Sequence, residues 1–504
     1  MTATDTDVAV LDHWIDGAPA AGTSTRTAPV HDPALGEVTK HVRLASTADV
    51  DTAVAAARAA YADWGRASIA RRQQVLFAFR EQLASRRDEL AAILTSEHGK
   101  VLSDAAGEVA RGLEVVELAC AMPHLVRGSY SLNASTDVDV HTTKEPIGVV
   151  AVISPFNFPA MVPLWFFPIA IAAGNTVVLK PSEKDPSVTN WMAEVLSECG
   201  LPPGVLNVVH GDKEAVDALL EHPDVASVSF VGSTPVARYV YETGTRHGKR
   251  VQALGGAKNH MLVLPDADLD LVADSAVSAG FGSAGERCMA ISVVVAVDPV
   301  GDELVAKIRE RMAGLVTGDG RRSCDMGPLI TREHRDKVAG YLDVAATDGA
   351  TVVVDGRDVV ADGAADGFWL GPTLVDHVPT TSAVYRDEIF GPVLSVVRVA
   401  SYEEGVALVN GGDFGNGTAI FTNDGGAARR FERDVEVGMV GVNVPIPVPV
   451  AWHSFGGWKS SLFGDAKAYG AQGFEFFTRE KTVTTRWLDP ATHAGVDLGF
   501  PQNR

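Results

Sequence analysis

From residue 147 onward, short apolar runs alternate with segments that are long enough to form a helix. The first set of runs covers 147–154, 176–180, 205–211, 226–232 and 250–256. Roughly 12–25 residues separate them, which is enough for a crossover helix. Alternation of this kind predicts a parallel sheet covered by helices on both faces. A second alternating region spans 257–445, with strand candidates at 291–297, 393–399, 418–422 and 437–444.

The segments around these regions predict other elements. Residues 47–125 are rich in alanine and charge and lack proline until Pro123, so we predict helices there. Residues 126–146 alternate polar and β-branched side chains, which predicts an extended hairpin or arm, and 477–487 predicts one more strand. The most apolar stretch, 158–174, contains three prolines and is shorter than the ~20 residues of a membrane span, so we predict a buried helix.

Charge and cysteine content exclude several classes of function. The 504-residue chain has a net charge of −21, which disfavours nucleic-acid binding because phosphate recognition needs clustered Lys and Arg. Its four cysteines form no C-x-x-C pair, which disfavours a zinc or CxxC redox site. The acidic start, MTATDTDVAV, differs from a secretory signal. We therefore predict a cytoplasmic protein without metal, nucleic-acid or membrane partners.

Candidate binding residues follow the apolar runs of the first region, where parallel sheets bind their ligands. Asn157 follows the first run and can donate a hydrogen bond to a developing oxyanion, or can simply stabilise a turn. Lys180 and Glu183 end the second run and can hold a ribose, or can form a solvated turn. Ser233 precedes a predicted helix, where it can bind phosphate or cap that helix.

Cys288 is the candidate nucleophile. It follows a Gly280–Gly285 segment with GxGxxG spacing, which comes after a helical pattern and so fails the context of a dinucleotide fingerprint. We expect these glycines to let the backbone approach Cys288 closely. Arg287 and a helix N-terminus are expected to lower the pKa of the thiol, although a lone cysteine is more often an inert buried residue.

Taken together, these residues resemble the aldehyde dehydrogenase superfamily over about residues 10–485. The matching segments are PFNFP (155–159), KPSE (180–183), FVGST (230–234), LGG (254–256), the Cys288 segment and EIFGPV (388–393). The resemblance implies an α/β fold with a Rossmann-type NAD-binding domain, an α/β catalytic domain and a small β oligomerisation region. It implies that residues 1–125 and 147–253 form the first, 254–445 the second, and 126–146 with 477–504 the third.

The resemblance also implies a role for each matching residue. Cys288 attacks the aldehyde, and Asn157 with the Cys288 backbone N–H holds the oxyanion. The implied NAD contacts are Ser154, Phe156, Lys180, Glu183, Lys184, Ser233, Gly255, Glu388 and Phe390. Glu183 should repel a 2′-phosphate, so NAD is preferred over NADP.

One departure from the family pattern predicts the type of reaction. Hydrolytic members carry Glu directly before the LGG-type segment, whereas this chain has Ala253. Alanine cannot activate water, so the thioester should wait for another nucleophile, and coenzyme A thiol is suited to this. Segments 256–260 (GAKNH), 285–290 (GERCMA) and 111–114 (RGLE) resemble the CoA-acylating methylmalonate-semialdehyde dehydrogenase branch.

That branch implies oxidation of malonate or methylmalonate semialdehyde to acetyl-CoA or propionyl-CoA, with release of CO₂ and formation of NADH. Arg111 and Arg287 are the predicted carboxylate contacts, since guanidinium binds carboxylate bidentately; a solvated helix face is the alternative for Arg111. The segment 451–455 departs from the branch pattern, so we expect Trp452 or His453 to reshape the pocket.

Other functions and the oligomeric state complete the predictions. One alternative is a hydrolytic NAD-dependent dehydrogenase of another carboxylated semialdehyde, such as succinate semialdehyde. A non-redox cysteine acyltransferase or thioesterase and a non-catalytic binding protein are two further alternatives, both disfavoured by the joint presence of Cys288, Asn157 and Glu388. The resemblance implies a homotetramer built as a dimer of dimers.

Overall fold

The computed structural model describes residues 8–488 and residue 491, so parts of the predicted 1–125 and 477–504 segments lie outside the described residues. Five strands that the sequence patterns did not predict precede the first helix. They are β1 (Val10–Leu11), β2 (His13–Ile15), β3 (Ala18–Ala20), β4 (Thr27–Asp32) and β5 (Glu37–Arg43). Strands β1, β5 and β4 form a small sheet in that order.

The predicted helical segment is confirmed and contains five helices. They are α1 (Thr47–Trp64), α2 (Ile69–Ser85), α3 (Arg87–His98), α4 (Leu102–Cys120) and α5 (Met122–Leu125). Ser46 starts α1 with a capping box, since its side chain accepts from the Asp49 N–H while the Asp49 side chain accepts from the Ser46 N–H. The predicted hairpin follows as β6 (Tyr130–Ser135) and β7 (Val138–Pro146), which pair antiparallel.

The first alternating region forms strands and helices in the predicted order. They are β8 (Val149–Ile153), α6 (Met161–Ala173), β9 (Thr176–Lys180), α7 (Ser187–Glu198), β10 (Leu206–Val208), α8 (Lys213–Glu221), β11 (Val225–Val231), α9 (Thr234–Arg246) and β12 (Arg250–Leu254). Every residue of α6 is buried, as predicted for this apolar segment. Among the described residues, no helix combines the length and apolarity that a membrane crossing requires.

The second region begins with β13 (Asn259–Val263), which the sequence patterns missed, and further elements follow it through residue 445 and beyond. They are α10 (Leu269–Phe281), a 3-10 turn (Gly282–Gly285), β14 (Ile291–Val297), α11 (Gly301–Met312), α12 (Arg332–Thr347), β15 (Thr351–Val354), a second 3-10 turn (Gly356–Asp358), β16 (Thr373–Asp376), α13 (Ala383–Arg386), β17 (Val393–Val399), α14 (Tyr402–Gly411), β18 (Phe414–Gly415), β19 (Gly417–Phe421), α15 (Gly425–Asp434), β20 (Met439–Val442), β21 (Trp458–Lys459), β22 (Leu462–Phe463), α16 (Gly470–Phe476) and β23 (Thr478–Arg486).

Two large sheets organise the chain. The first has the order β22-β12-β11-β8-β9-β10-β2-β3, and its central strands β12 to β10 are parallel. The second has the order β15-β16-β17-β14-β13-β19-β20 and is parallel from β16 to β20. Each central strand is buried because helices cover both faces, as a parallel sheet requires. The predicted tail strand β23 pairs with β7 in a separate three-stranded sheet, order β23-β7-β6.

Candidate active site

Cys288 lies on the loop that leads from the first 3-10 turn into β14, and it lines two cavities at once. The larger cavity has a volume of about 420 Å³. Its walls include Arg111 from α4, Trp165 from α6 and Phe455. The second cavity is narrow and is lined by Cys288, Glu388 and Phe390, among others. Only the larger of the two cavities has room for a substrate molecule beside Cys288.

The thiol of Cys288 does not have the lowered pKa that we expected from Arg287. Burial, and after it the carboxylate of Glu388, raise its pKa to about 12. The backbone N–H of Cys288, the guanidinium of Arg287 and the backbone N–H of Met289 each lower the pKa in part. No helix begins at this loop in the described structure, so the expected helix N-terminus is also wrong. Stabilisation of the thiolate therefore depends on nearby backbone N–H groups and on Arg287.

Both predicted carboxylate-binding arginines line the cavity that contains Cys288, and both have acidic partners. Arg287 donates to Asp104 at 2.6 Å. Arg111 donates to both oxygens of Glu114, at 2.9 and 2.7 Å, and to the Pro449 carbonyl at 2.7 Å. Asp104 Oδ2 and Arg287 Nε are buried without a hydrogen-bond partner among the described residues. The Arg287–Asp104 pair therefore retains unused hydrogen-bonding capacity at two buried atoms.

The glycines before Cys288 make close contacts that the sequence did not predict. Ser283, Ala284 and Gly285 have φ values of 54°, 52° and 73°, a left-handed turn that disfavours residues with a Cβ. A Cβ on Gly285 would collide with the backbone carbonyl of Gly391, and a Cβ on Gly282 would collide with Arg287. Gly280 and Gly285 line the narrow cavity together with Cys288, and the expected approach to the nucleophile stays a prediction. Gly285 also brings the nucleophile loop against the loop that carries Phe390.

Asn157 is buried at the carboxyl end of β8, where a buried ion pair holds its backbone. Lys100 Nζ donates to the Asn157 carbonyl and to Glu108, each at 2.6 Å. Glu108 also accepts from the Ala160 N–H at 2.8 Å, and it lines the large cavity with Cys288. A paired buried charge of this kind fixes the backbone around Asn157.

The remaining first-sheet candidates lie at strand ends as predicted. The Ser154 N–H donates to the Lys180 carbonyl at 3.1 Å, and its hydroxyl is buried without a hydrogen-bond partner within residues 8–488 and 491. Lys180 Nζ donates to the Gly211 carbonyl at 2.7 Å and lies 3.5 Å from Glu183. Burial lowers the pKa of Lys180, and Glu183 opposes this effect. The side chain of Glu183 is about one-third exposed, so it can reach a ligand.

Ser233 and Gly255 follow the next two strands of the first sheet, β11 and β12. Ser233 precedes α9, and its side chain makes no capping hydrogen bond within the described chain, which disfavours the helix-cap interpretation. Thr234 Oγ1 instead accepts from the Gly256 N–H at 2.9 Å. A Cβ on Gly255 would meet the Ser460 carbonyl, so this position needs glycine.

Glu388 and Phe390 enter the site from the second sheet, before β17. Glu388 accepts from the Ala257 N–H at 2.8 Å, and burial raises its pKa to about 7. Phe390 has a φ of 59°, and its ring centroid lies 5.8 Å from that of Phe156 in an edge-to-face contact. Lys184 Nζ lies 4.8 Å from the Phe156 centroid. Thus Phe156 and Lys184 from one sheet meet Phe390 from the other.

Ala253 is fully buried in β12, in register with Phe230 on one side and Phe463 on the other. This position therefore presents a methyl group and no proton acceptor. The expectation for Trp452 is not supported, because Trp452 is 59% exposed and is absent from the walls of the large cavity described above. His453 is likewise absent from them, and Phe455 is the residue of this segment that lines the cavity.

Sequence reasoning missed two asparagines that touch the nucleophile loop. Asn259 and Asn416 both donate to the Cys288 carbonyl, at 2.9 and 3.1 Å. Asn259 belongs to the GAKNH segment, but we assigned it no role. Asn416 carried one usable signal, since a polar residue stands directly before the buried strand β19.

Comparisons with known proteins agree with this arrangement. Residues 20–483 match the profile of the "Aldehyde dehydrogenase family". The malonate-semialdehyde dehydrogenase of Pseudomonas aeruginosa is 53% identical over 494 residues, covering 97% of this chain and 99% of that protein. The crystal structure of a methylmalonate-semialdehyde dehydrogenase from Oceanimonas doudoroffii has a TM-score of 0.94 and 51% identity, over 96% of this chain and 99% of that one.

A solved NAD complex from Sinorhizobium meliloti has the same TM-score of 0.94, with 49% identity over 96% of this chain and 99% of that chain. These relationships extend over both large sheets and the β7–β23 arm. They confirm the predicted fold class and superfamily: the chain belongs to the aldehyde dehydrogenase family.

Proposed function

We propose that this chain is an NAD-dependent, CoA-acylating dehydrogenase of malonate or methylmalonate semialdehyde. The observation that carries the proposal is the shared cavity, in which Arg111 and Arg287 line the same space as Cys288. A 3-oxo acid carries an aldehyde and a carboxylate only two bonds apart, so it needs a nucleophile and a guanidinium close together. The P. aeruginosa and O. doudoroffii relatives support this substrate class by their names.

In the first step, the Cys288 thiolate attacks the aldehyde carbon and a C–S bond forms. The carbonyl oxygen becomes an oxyanion, which the Asn157 side chain and the Cys288 backbone N–H stabilise. Arg287 and Arg111 hold the substrate carboxylate. To do so, Arg287 must share or release Asp104, and Arg111 must share or release Glu114. Held in this way, the carboxylate orients the aldehyde toward the sulfur before the attack.

The residues of the first sheet fit a dinucleotide on two observations. The Ser154 hydroxyl lacks a partner within the described residues, and the Ser233 side chain at the start of α9 makes no capping hydrogen bond there. We assign the NAD contacts to Ser154, Phe156, Lys180, Glu183, Lys184, Ser233 and Gly255, together with Glu388 and Phe390 of the second sheet. Bound NAD supplies a hydride acceptor for oxidation of the substrate carbon, which leaves a thioester on Cys288.

Release of the acyl group depends on Ala253. A buried methyl group at this position cannot deprotonate water, so the thioester persists until a thiol attacks it. The acyl group carries a carboxylate β to the thioester carbonyl, and loss of CO₂ with protonation of the resulting carbanion leaves an acetyl or propionyl group. The CoA thiolate then forms the new C–S bond as the Cys288–carbon bond breaks.

The test is NADH formation from malonate semialdehyde with and without CoA, with mass spectrometry of the acyl product. We expect turnover to require CoA and to yield acetyl-CoA and CO₂. Cys288→Ala protein, assayed in parallel, controls for uncatalysed reaction of the aldehyde. CoA-independent formation of a free acid would contradict the proposal.

A second candidate is a hydrolytic dehydrogenase, and one specific observation favours it. Glu388 lines the narrow cavity with Cys288, and burial raises its pKa to about 7, a value suited to a general base near neutral pH. In that case a free acid forms without CoA, and Glu388→Gln slows its formation while leaving acylation of Cys288 intact. The same assay therefore separates the two candidates.

We also propose the homotetramer, built as a dimer of dimers, with 126–146 and 477–504 as its arm. Strand β6 is an unpaired edge of the β23-β7-β6 sheet within the described chain, and its Leu132 is 75% exposed. Light scattering that shows a monomer would contradict this. The division into an NAD-binding unit (1–125 and 147–253) and a catalytic unit (254–445), and a cytoplasmic location, remain proposals to be tested by limited proteolysis and cell fractionation.

A further inference from the structure

Two asparagine side chains at the starts of neighbouring strands meet the backbone of the nucleophile loop. Asn259 is the first residue of β13, and Asn416 directly precedes β19. Strand β13 lies between β14 and β19, and the Cys288 loop leads directly into β14. The sheet order therefore places both asparagines beside this loop.

Each asparagine amide uses two contacts on the loop. Asn259 Nδ2 donates to the carbonyls of Cys288 and Ala290, each at 2.9 Å, and Asn416 Nδ2 donates to the Cys288 carbonyl at 3.1 Å. Asn416 Nδ2 also lies 3.0 Å from Met289 Sδ. Both side chains are at least 95% buried, so water does not compete for these bonds.

The second amide atom of Asn259 anchors it to the neighbouring strand. The Gly417 N–H donates to Asn259 Oδ1 at 3.1 Å, which fixes which end of the amide faces the loop. Gly417 is also the residue that follows Asn416 in the chain. The two asparagines thus form one connected unit, which we call the asparagine clamp.

The clamp determines the direction of the peptide that joins Cys288 to Met289. In a trans peptide the C=O and N–H groups point in opposite directions. Because the clamp holds the Cys288 carbonyl toward β13 and β19, the Met289 N–H points the other way. On that side it lowers the pKa of the Cys288 thiol.

The described part of this loop has no helix N-terminus to stabilise a thiolate. We propose that Asn259 and Asn416 are positioning residues for the nucleophile, which act by aiming the Met289 N–H at the sulfur of Cys288. This inference rests on the proposed function only for the role of Cys288 as nucleophile. It does not depend on the identity of the aldehyde or of the acyl acceptor.

The experiment measures the thiolate directly, in Asn259→Ala, Asn416→Ala and unaltered full-length protein. The rate of Cys288 carbamidomethylation by iodoacetamide is followed from pH 6 to pH 10, with peptide mass spectrometry to separate Cys288 from the other three cysteines. We expect the alkylation profile to move to higher pH by about one pH unit in each variant, because a lost N–H donor disfavours the anion. At pH 8 the alkylation rate should fall about tenfold.

Asn190→Ala is the matched control. Asn190 lies on α7 of the first region, where its amide donates to the Asp12 carbonyl at 2.8 Å and its oxygen contacts His210 at 3.0 Å. The substitution removes a similar pair of hydrogen bonds at a place that does not contact Cys288. The alkylation profile of Cys288 in this variant should match that of the unaltered protein. Circular dichroism confirms folding of each variant.

Unchanged alkylation profiles in folded Asn259→Ala and Asn416→Ala would overturn the proposal. If alanine prevents folding, Asn416→Leu keeps the branched shape of the side chain and replaces both polar amide atoms, including the donor, and the same result in that variant decides the question. Failure of the proposed function has a different signature, namely an absence of CoA-dependent acetyl-CoA formation in the unaltered protein. That result would leave the alkylation comparison intact.

Discussion

The two large sheets contribute residues to the candidate active site from opposite ends of their strands. In the first sheet, candidate residues follow the strands, as Asn157 follows β8 and Ser233 follows β11. In the second sheet they precede the strands, as Cys288 precedes β14 and Phe390 precedes β17. The site therefore lies between the carboxyl ends of one parallel sheet and the amino ends of the other.

This difference matches two different tasks. Carboxyl ends lead into helices such as α9, whose first N–H groups are unpaired and suit a phosphate. Amino ends offer no such donors, so side chains such as the asparagine clamp must orient the loop there. We call the carboxyl-end side of the first sheet the first edge and the amino-end side of the second sheet the second edge. We expect substitutions at the first edge to change the affinity for NAD and substitutions at the second edge to change the rate of the reaction.

The strongest test of this division is Cys288→Ala. We expect NADH formation to fall by at least about a thousandfold, because the covalent intermediate cannot form. NAD affinity, measured by calorimetric titration, should stay within about twofold, since loss of a small side chain leaves the first edge unaltered. Substantial residual turnover would remove Cys288 from the mechanism.

Arg111→Ala tests the large cavity, to which both regions contribute. We expect KM for malonate semialdehyde to rise about 10–100-fold, the effect of losing a charge-assisted pair, and KM for the neutral aldehyde propanal to stay the same. Arg58→Ala, an exposed arginine of α1, is the control and should change neither value. Equal effects on both aldehydes would contradict a carboxylate contact.

Glu183→Ala isolates the first edge. Loss of a ribose contact should weaken NAD binding about tenfold, while kcat at saturating NAD stays unchanged. Glu221→Ala, at the exposed end of α8, controls for removal of one surface charge. A lowered kcat with unaltered NAD affinity would contradict the assignment of cofactor binding to the first edge.

The smallest expected effect is a pH dependence of NAD binding, caused by Glu388, which is a candidate NAD contact at the second edge. Because burial raises its pKa to about 7, this carboxyl is ionised above pH 7 and protonated below it. Protonation removes a hydrogen-bond acceptor, so the Kd for NAD should rise about threefold as pH falls from 8 to 6. Glu388→Gln should flatten this dependence, and a steep dependence in that variant would assign it to another group.

Sequence patterns predicted the elements whose signal is local. Strand β9 is a continuous run of β-branched and apolar residues, and helix α6 is a long apolar segment, so both were found. Strand β13 was missed because its first two residues, Asn259 and His260, are polar yet buried. Their burial depends on partners such as Cys288 and Tyr385, which lie far away in the chain.

The candidate site could be named from the sequence, but its electrostatics could not. Arg287 stands next to Cys288 in the chain, which predicted a lowered thiol pKa. In the structure, Arg287 pairs with Asp104, 183 residues away, and burial outweighs the remaining attraction. The role of Asn416 depends likewise on a contact between residues 128 positions apart in sequence.

The left-handed turn at Ser283, Ala284 and Gly285 has an evolutionary consequence. Because Gly285 packs directly against the Gly391 carbonyl, the loop with the nucleophile and the loop with Phe390 have no side chain between them to absorb a change. A substitution in either loop therefore displaces the other. Adaptation to a new aldehyde is easier through the distant walls of the cavity, such as Val448 and Phe455, than through residues beside Cys288.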